Sequence, residues 1–365
     1  SGILEANKEC FGEAFVPTYN FDKAKVIVSF EADFLGEWLD SGHAKQYSKG
    51  RDPKKNMSKH YQFESLLSLT GANADKRVPI NPDQQFNYML YIFGKLQSSQ
   101  NMIKIDNKNH KLILNQICKE LIENKGSSVV VSGSNNMKNQ LVVNAINYLL
   151  DNYSNTIDYN RKSNLYSSIN SDFENFVEDV TNNKVGAIII NDLNIVYNYP
   201  SFKDQLKNID LKISFSESLD ETASLMDFVC AKSHYLESWG DANPYTGVYT
   251  VQQPAISPIF DTRQSEANLL RWMSINQNFY NYLKSAHKNQ SPKKSWNKTL
   301  HDGFYDKNYD QKDYIFSSKI AQDIMNNYPS LLNVNTEDIF LMLYSKTSIG
   351  EGKQSNNPWL QELPD

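Results

Sequence analysis

The sequence predicts an α/β fold in which mostly parallel sheets are flanked by helices, and three observations predict it. Short apolar runs rich in β-branched residues, at 25–30, 128–132 and 185–190, alternate with segments of helical spacing. Parallel strands need crossover connections, and helices packed on both faces of the sheet supply them. The third observation is size and composition. A chain of 365 residues suits two domains at roughly 100–200 residues each, and 40% hydrophobic with 22% charged residues builds a packed core rather than a disordered chain.

The first strand is 25–30, where Val26, Ile27, Val28 and Phe30 form an apolar run, and a weaker strand is expected at 59–63. Helical spacing of Phe86, Met89, Leu90 and Phe93 predicts a helix over 82–96, opening after Pro82. A second amphipathic helix covers 110–122 through Leu112, Leu114, Ile117 and Leu121, with Gly126 just past its end. Ser128 to Ser132 is a strand that leads through Gly133, Ser134 and Asn135 into a helix over 140–150. The pattern then recurs as helix 173–180, strand 185–190, short helix 201–206, strand 211–215, short helix 221–227 and strand 228–231. No repeat of fixed period runs through it.

Between Trp239 and Thr262 the breakers Gly240, Pro244, Gly247, Pro254 and Pro258 predict a long ordered loop with one strand, 247–251. Helix is expected again over 264–285, a Lys-, Asn- and Ser-rich linker over 288–307, a last helix over 315–326, and a mobile tail over 350–365. The chain thus divides into an α/β region, 15–290, of two interleaved lobes, and a C-terminal linker, helix and tail, 291–365.

Charge and cysteine usage exclude several function classes. A net charge of −5 is the opposite of a nucleic-acid footprint, and the basic runs at 45–55 and 293–298 are short enough to be solvated loops. No apolar run approaches the ~20 residues that cross a bilayer. The chain opens Ser-Gly-Ile-Leu-Glu without a signal peptide, which reads as a start inside a longer protein. Cys10, Cys118 and Cys230 are far apart and form no C-x-x-C pair. A [4Fe–4S] cluster takes four thiolates, so none is expected here, and three buried, inert thiols are the expectation.

Candidate chemistry is sparse. Ser132-Gly133-Ser134-Asn135 lies between a strand and a helix, where backbone N–H groups can cradle a phosphate, but it lacks both the Walker A pattern and the three-glycine dinucleotide fingerprint, so an ordinary turn is favoured. His234 and Glu237 form H-x-x-E with Asp241 four residues on. Without a second histidine, this reads as a loop held by hydrogen bonds, not a metal site. Hydrolase signatures are missing. The 21 tyrosines and 18 phenylalanines are spread over every element, as core packing requires.

The order of motifs is more specific. Asp220-Glu221-Thr222-Ala223-Ser224, then Asp227, then Leu236-Glu237 and Gly240-Asp241, resemble the E-T-A-x-x-A-D-x-V-L-P…L-E-x-x-G stretch of molybdopterin oxidoreductases. Upstream, 21–28, 69–80 and 185–194 with Pro200 resemble that family's first strand, its T-x-x-A-D…P-I segment and its G-x-N-P strand and loop. The resemblance covers about 15–284, and it implies two Rossmann-like lobes. The segments 58–64, 220–224 with 234–239, and 252–254 with 262–264 resemble one branch, the iron–sulfur subunit of alternative complex III, a bacterial quinol:electron-acceptor oxidoreductase. What that branch implies is a molybdopterin-like domain without the cofactor, on the periplasmic side of the inner membrane. Its partners would be the other subunits of a membrane electron-transfer complex. Iron–sulfur clusters would lie only in a C-terminal part that this match does not include.

The departures from active relatives share a direction. Where relatives carry a Gly-x-Asn loop after the first strand, this chain has Glu31-Ala32-Asp33; the second-loop glycine corresponds to Asn191, followed by Asp192; and the Asp-Pro-Arg after another strand becomes 64–66. A carboxylate about 4 Å from a phosphate charge is repelled by roughly 4 kcal/mol at an effective dielectric near 20, and the lost arginine removes a bidentate partner. Ser132, Gly133 and Ser134 complete the degenerate loops. The expectation is therefore no catalytic residue, no metal, no molybdopterin, and a set of family-signature residues: Asp220, Glu221, Thr222, Asp227, Glu237 and Gly240. Three functions stay open: a non-catalytic structural domain, a truncated molybdopterin-binding oxidoreductase, and a soluble ligand-binding module.

Overall fold

The computed structural model describes residues 1–99, 103–290, 293–327, 339–344, 349–350, 352, 355 and 357–363. In chain order its strands are β1 (Val16–Tyr19), β2 (Val26–Phe30), β3 (Lys59–Glu64), β4 (Lys76–Pro79), β5 (Ser128–Ser132), β6 (Ile157–Ser163), β7 (Ala187–Asn191), β8 (Leu211–Ser216), β9 (Phe228–Ala231), β10 (Gly240–Tyr245), β11 (Val248–Gln252) and β12 (Phe304–Asp306). They form a four-stranded sheet β4-β3-β2-β5, a three-stranded sheet β7-β8-β9 and a five-stranded sheet β1-β6-β10-β11-β12. The first two are parallel throughout, and helices flank them, as expected for this α/β class.

Side chains of the four-stranded sheet alternate between two cores. Val26, Val28, Phe30 and Val130 meet Met89, Phe93, Leu114 and Ile146 from the helices Gln84–Leu96, Lys108–Glu123 and Met137–Leu149. On the opposite face Ile27, Val129 and Val131 meet Phe21, Phe34 and Tyr47. Burial on both faces is what makes these strands read as continuous apolar runs. β4 is mostly exposed, and β3 looked weak because His60, Gln62 and Glu64 are polar. All three are buried, and they bond to one another along the strand: His60 Nε2 lies 3.2 Å from Gln62 Oε1, and Gln62 Nε2 donates to Glu64 Oε2 at 3.2 Å.

The five-stranded antiparallel sheet was not anticipated. Its strands carry weak patterns: β1 contains Pro17 beside a register shift, β6 is largely polar, and β12 has three residues. The stretch 239–262, expected to hold one strand, supplies two, joined by a turn with Gly247 at φ +80. The stretch 288–307, expected as a linker, holds the helix Trp296–Asp302, capped by Ser295, and then β12, which pairs with β11. The single helix expected over 264–285 is two, Ser265–Trp272 and Phe279–Asn289. Ser274 at φ +59 ends the first, and Asn278 caps the second. The helix expected at 221–227 is only a short turn, because Asp220 and Thr222 bond to nearby backbone. The last helix runs Ser318–Asn327 and places Ile324 in the first core. The tail at 350–365 is described only in part; there Pro358–Gln361 forms one helical turn, and positions 351, 353–354, 356 and 364–365 lie outside the described residues.

Glu13 joins three distant segments. It accepts hydrogen bonds from Lys162 of β6 and from Lys312 and Tyr314 beyond β12. The bond from Lys162, with those from Tyr314 and Lys312, holds its carboxyl at about 2, against an ordinary 4.5. A carboxyl depressed in the folded state contributes stability that is complete above the unfolded value and is lost as pH falls through the window from about 4.5 to about 2. The group is partly exposed and screened, so Glu13→Gln is expected to cost only ~1 kcal/mol at neutral pH. Urea denaturation should show that difference shrinking across the acid window; a constant difference would contradict this role.

Candidate functional site

In open parallel sheets ligands bind outside the C-terminal ends of the strands. The register of the four-stranded sheet aligns Phe30, Phe63 and Ser132, so the loops after β2, β3 and β5 emerge side by side. The three-stranded sheet does the same with Asn191, Phe215 and Cys230. Both edges collect the residues singled out from the sequence.

The two sheets are built alike at this edge. Glu31 follows β2 at φ +54, and its N–H donates to Phe63 O on the neighbouring strand at 2.8 Å. Asp192 follows β7 at φ +55, and its N–H donates to Phe215 O on the neighbouring strand at 2.9 Å. A left-handed backbone at each place is the conformation glycine adopts without cost. Here both positions carry carboxylates.

Each carboxylate is engaged within its own loops. Glu31 Oε1 accepts from Ser65 N at 3.2 Å and Ser65 Oγ at 2.6 Å. Asp33 Oδ1 accepts from Thr70 N at 2.9 Å and Thr70 Oγ1 at 2.6 Å. Glu64 accepts from Arg77 Nε at 2.5 Å and from both Ser68 N and Ser68 Oγ. Asp192 pairs with Lys232 Nζ at 3.0 Å. Asn191 accepts from Ser265 Oγ at 3.0 Å.

The turn from Ser132 to Asn136 has the outline of a phosphate cradle, but most of its donors are already taken. Gly133 N donates to Phe30 O, Ser134 N to Ser132 Oγ, Asn136 N to Ser134 Oγ, and Lys138 N to Asn136 Oδ1. The open side of Gly133 is closed as well. A Cβ built there would lie 2.3 Å from Glu31 O, so the loop after β2 occupies that space.

The family-signature residues shape turns. Asp220 Oδ1 accepts from Ala223 N at 2.7 Å, and Glu221 Oε2 accepts from Asn194 Nδ2 at 2.6 Å. Buried Thr222 donates to Asn194 Oδ1 and accepts from Val196 N. Asp227 accepts from Lys212 N at 2.8 Å, and its bonds with Lys212 hold its carboxyl below the ordinary range. Glu237 accepts from His234 N and Ile259 N, while His234 Nδ1 accepts from Leu236 N, so H-x-x-E is a capping box. Gly240 opens β10. Among the described residues no cluster of three metal-ligating side chains occurs. Cys10 and Cys118 are buried, and burial pushes both thiols up to about 12. Cys230, expected to be buried, is only half-buried at the open edge of β9.

Sequence reasoning missed a cleft of about 170 Å³ at the edge of the three-stranded sheet. Lys232, Trp239, Gln252, Gln264 and Glu266 line it together with Asn191 and Gly240. The residues come from segments far apart in sequence, and only the pairing of β10 with β11 and the start of the helix Ser265–Trp272 bring them together.

No family model matches the chain. Among curated proteins, the menaquinone reductase molybdopterin-binding-like subunit of Nitratidesulfovibrio vulgaris is 37% identical over 84 residues, which is 21% of this chain and 12% of that relative. Among solved structures, acetylene hydratase from Pelobacter acetylenicus superposes with a TM-score of 0.55 at 11% identity, over 84% of this chain and 55% of that one. The match thus spans a small part of the curated relative and about half of the solved structure. Together they give the chain a molybdopterin-oxidoreductase-like fold, the class expected from its motifs. No helix among the described residues is long and apolar enough to cross a membrane.

Proposed function

We propose that the chain is a non-catalytic structural domain of a respiratory, quinone-linked electron-transfer complex, with a molybdopterin-like fold that holds no molybdopterin. The observation that carries this reading is the closure of the loop edge of the first sheet. The Glu31 carbonyl fills the space beside Gly133, the Gly133, Ser134 and Asn136 amides already have acceptors, and the same loop edge carries the carboxylates of Glu31 and Asp33. Asp192 repeats the pattern in the second sheet. A group with several phosphate charges does not fit these residues, because it needs free donors and close backbone approach.

The curated relative's name, a menaquinone reductase subunit, supports assembly with other subunits in a membrane complex. The sequence resemblance to alternative complex III points the same way and adds a peripheral position on the periplasmic side. On this reading the clusters that carry electrons belong to regions that the resemblance does not include, and this domain supplies surface and spacing.

Titration with inorganic pyrophosphate, followed by the melting temperature and by ¹H–¹⁵N spectra, tests the loop edge. No saturable shift of the Gly133 and Ser134 amides is expected up to millimolar concentration. Saturable binding with those amides moving would overturn the reading and favour a truncated cofactor-binding enzyme.

A further inference from the structure

The cleft at the edge of the three-stranded sheet has a polarity of its own. Gln252 Nε2 donates to Tyr235 O at 2.5 Å, and Gln264 Nε2 donates to Trp239 O at 2.5 Å. Both partners are backbone carbonyls, which only accept, so each amide nitrogen must face its carbonyl and each side-chain oxygen is left over as an acceptor. Glu266 lines the same space, and among the described residues its carboxylate has no hydrogen-bond or ion-pair partner. Lys232 is the one cation in the lining, and it is already held by Asp192 at 3.0 Å and Glu217 at 3.8 Å. Trp239 and Tyr235 add aromatic surface to the wall.

Acceptors, an unpaired carboxylate and aromatic rings are the complement of a donor-rich planar cation. We propose that this cleft binds a guanidinium group, presented as an arginine side chain by a partner subunit. Loss of solvent and then the charge of Glu266 hold Asp241's carboxyl above its ordinary range, and a bound cation relieves that crowding of negative charge. The guanidinium fork can meet the Glu266 carboxylate and the two glutamine oxygens while its face lies on an aromatic ring. The guanidinium chemistry of the cleft stands apart from the structural-domain reading; that a partner subunit presents it rests on that reading.

The test is a titration of the folded chain with N-acetyl-arginine amide, L-arginine and inorganic pyrophosphate in parallel, following the Trp239 indole N–H signal. A single side-chain mimic is expected to bind in about the millimolar range. N-acetyl-arginine amide should shift the signal saturably, Glu266→Gln should weaken binding at least tenfold, and Asp241→Asn should weaken it a few-fold. L-arginine binding tenfold tighter than the amide would place a free amino acid there and overturn the partner assignment. No shift at tens of millimolar, or binding unchanged in Glu266→Gln, would overturn the guanidinium site but leave the structural-domain reading standing. Pyrophosphate moving the same signal at equal or lower concentration would overturn both.

Discussion

Replacing Arg77 with methionine is expected to destabilise the chain by about 3–5 kcal/mol, the cost of leaving a buried charge without its partner. Glu64, at the end of β3, is only 2% exposed. Its ion pair with Arg77, at 2.5 Å, is the one cationic contact that the carboxylate makes among the described residues. The pocket is shaped around it, since a Cβ at Gly71 would lie 1.8 Å from Glu64 Oε1. Gln62 and Ser68 donate to the same carboxylate, but neutral donors do not cancel its charge. Methionine keeps much of the arginine stem's packing, so the loss isolates the charge. Urea denaturation measures it, and Arg77→Lys should recover part of it. A variant as stable as the parent would show that the Arg77 contact does not offset a buried Glu64 charge.

Gly133→Ala is the second large effect, expected at about 2–4 kcal/mol of destabilisation, as for other overpacked sites. The added methyl would meet the Glu31 carbonyl at 2.3 Å, and backbone cannot rotate away as a flexible side chain can. The Phe30 carbonyl holds Gly133 in place through its N–H at 2.8 Å, so the strain passes into the ends of β2 and β5. The comparison with Gly12→Ala separates the two kinds of glycine cost. Gly12 has φ +77 and nothing within 4 Å of its Cβ position, so only backbone strain acts there. Equal losses at the two sites would mean that the contact with Glu31 is slack and that the cradle is still open.

Much of the fold was legible in the sequence, for a physical reason. Strands buried on both faces read as nearly continuous apolar runs, and β2 and β5 announced themselves that way; β7 showed the same run of isoleucines although most of it is exposed. β3 was harder to read because its buried His60, Gln62 and Glu64 satisfy one another, a possibility that periodicity cannot reveal. The antiparallel sheet was illegible because its strands are short or polar and draw their partners from opposite ends of the chain. At the site, the replacement of glycine by Glu31 and Asp192 could be read from the motif order. That both keep the left-handed backbone and turn their carboxylates toward local partners could not, since Ser65 and Lys232 lie 34 and 40 positions further along the chain. The segments that line the guanidinium cleft, 234–240, 252–254 and 262–264, stood out as family motifs, but that Gln252 and Gln264 are oriented by the carbonyls of Tyr235 and Trp239 could not be read from side-chain identity.

The most direct measurement is the metal and pterin content of the protein isolated with its natural partners. Molybdenum, tungsten and iron are quantified by mass spectrometry, and released pterin by fluorescence after oxidation. The expected result is iron without molybdenum, tungsten or pterin in the assembled complex, and none of them in this chain alone. Molybdenum or tungsten with pterin, near one equivalent per chain, would contradict the proposal and make the chain part of a working molybdopterin enzyme.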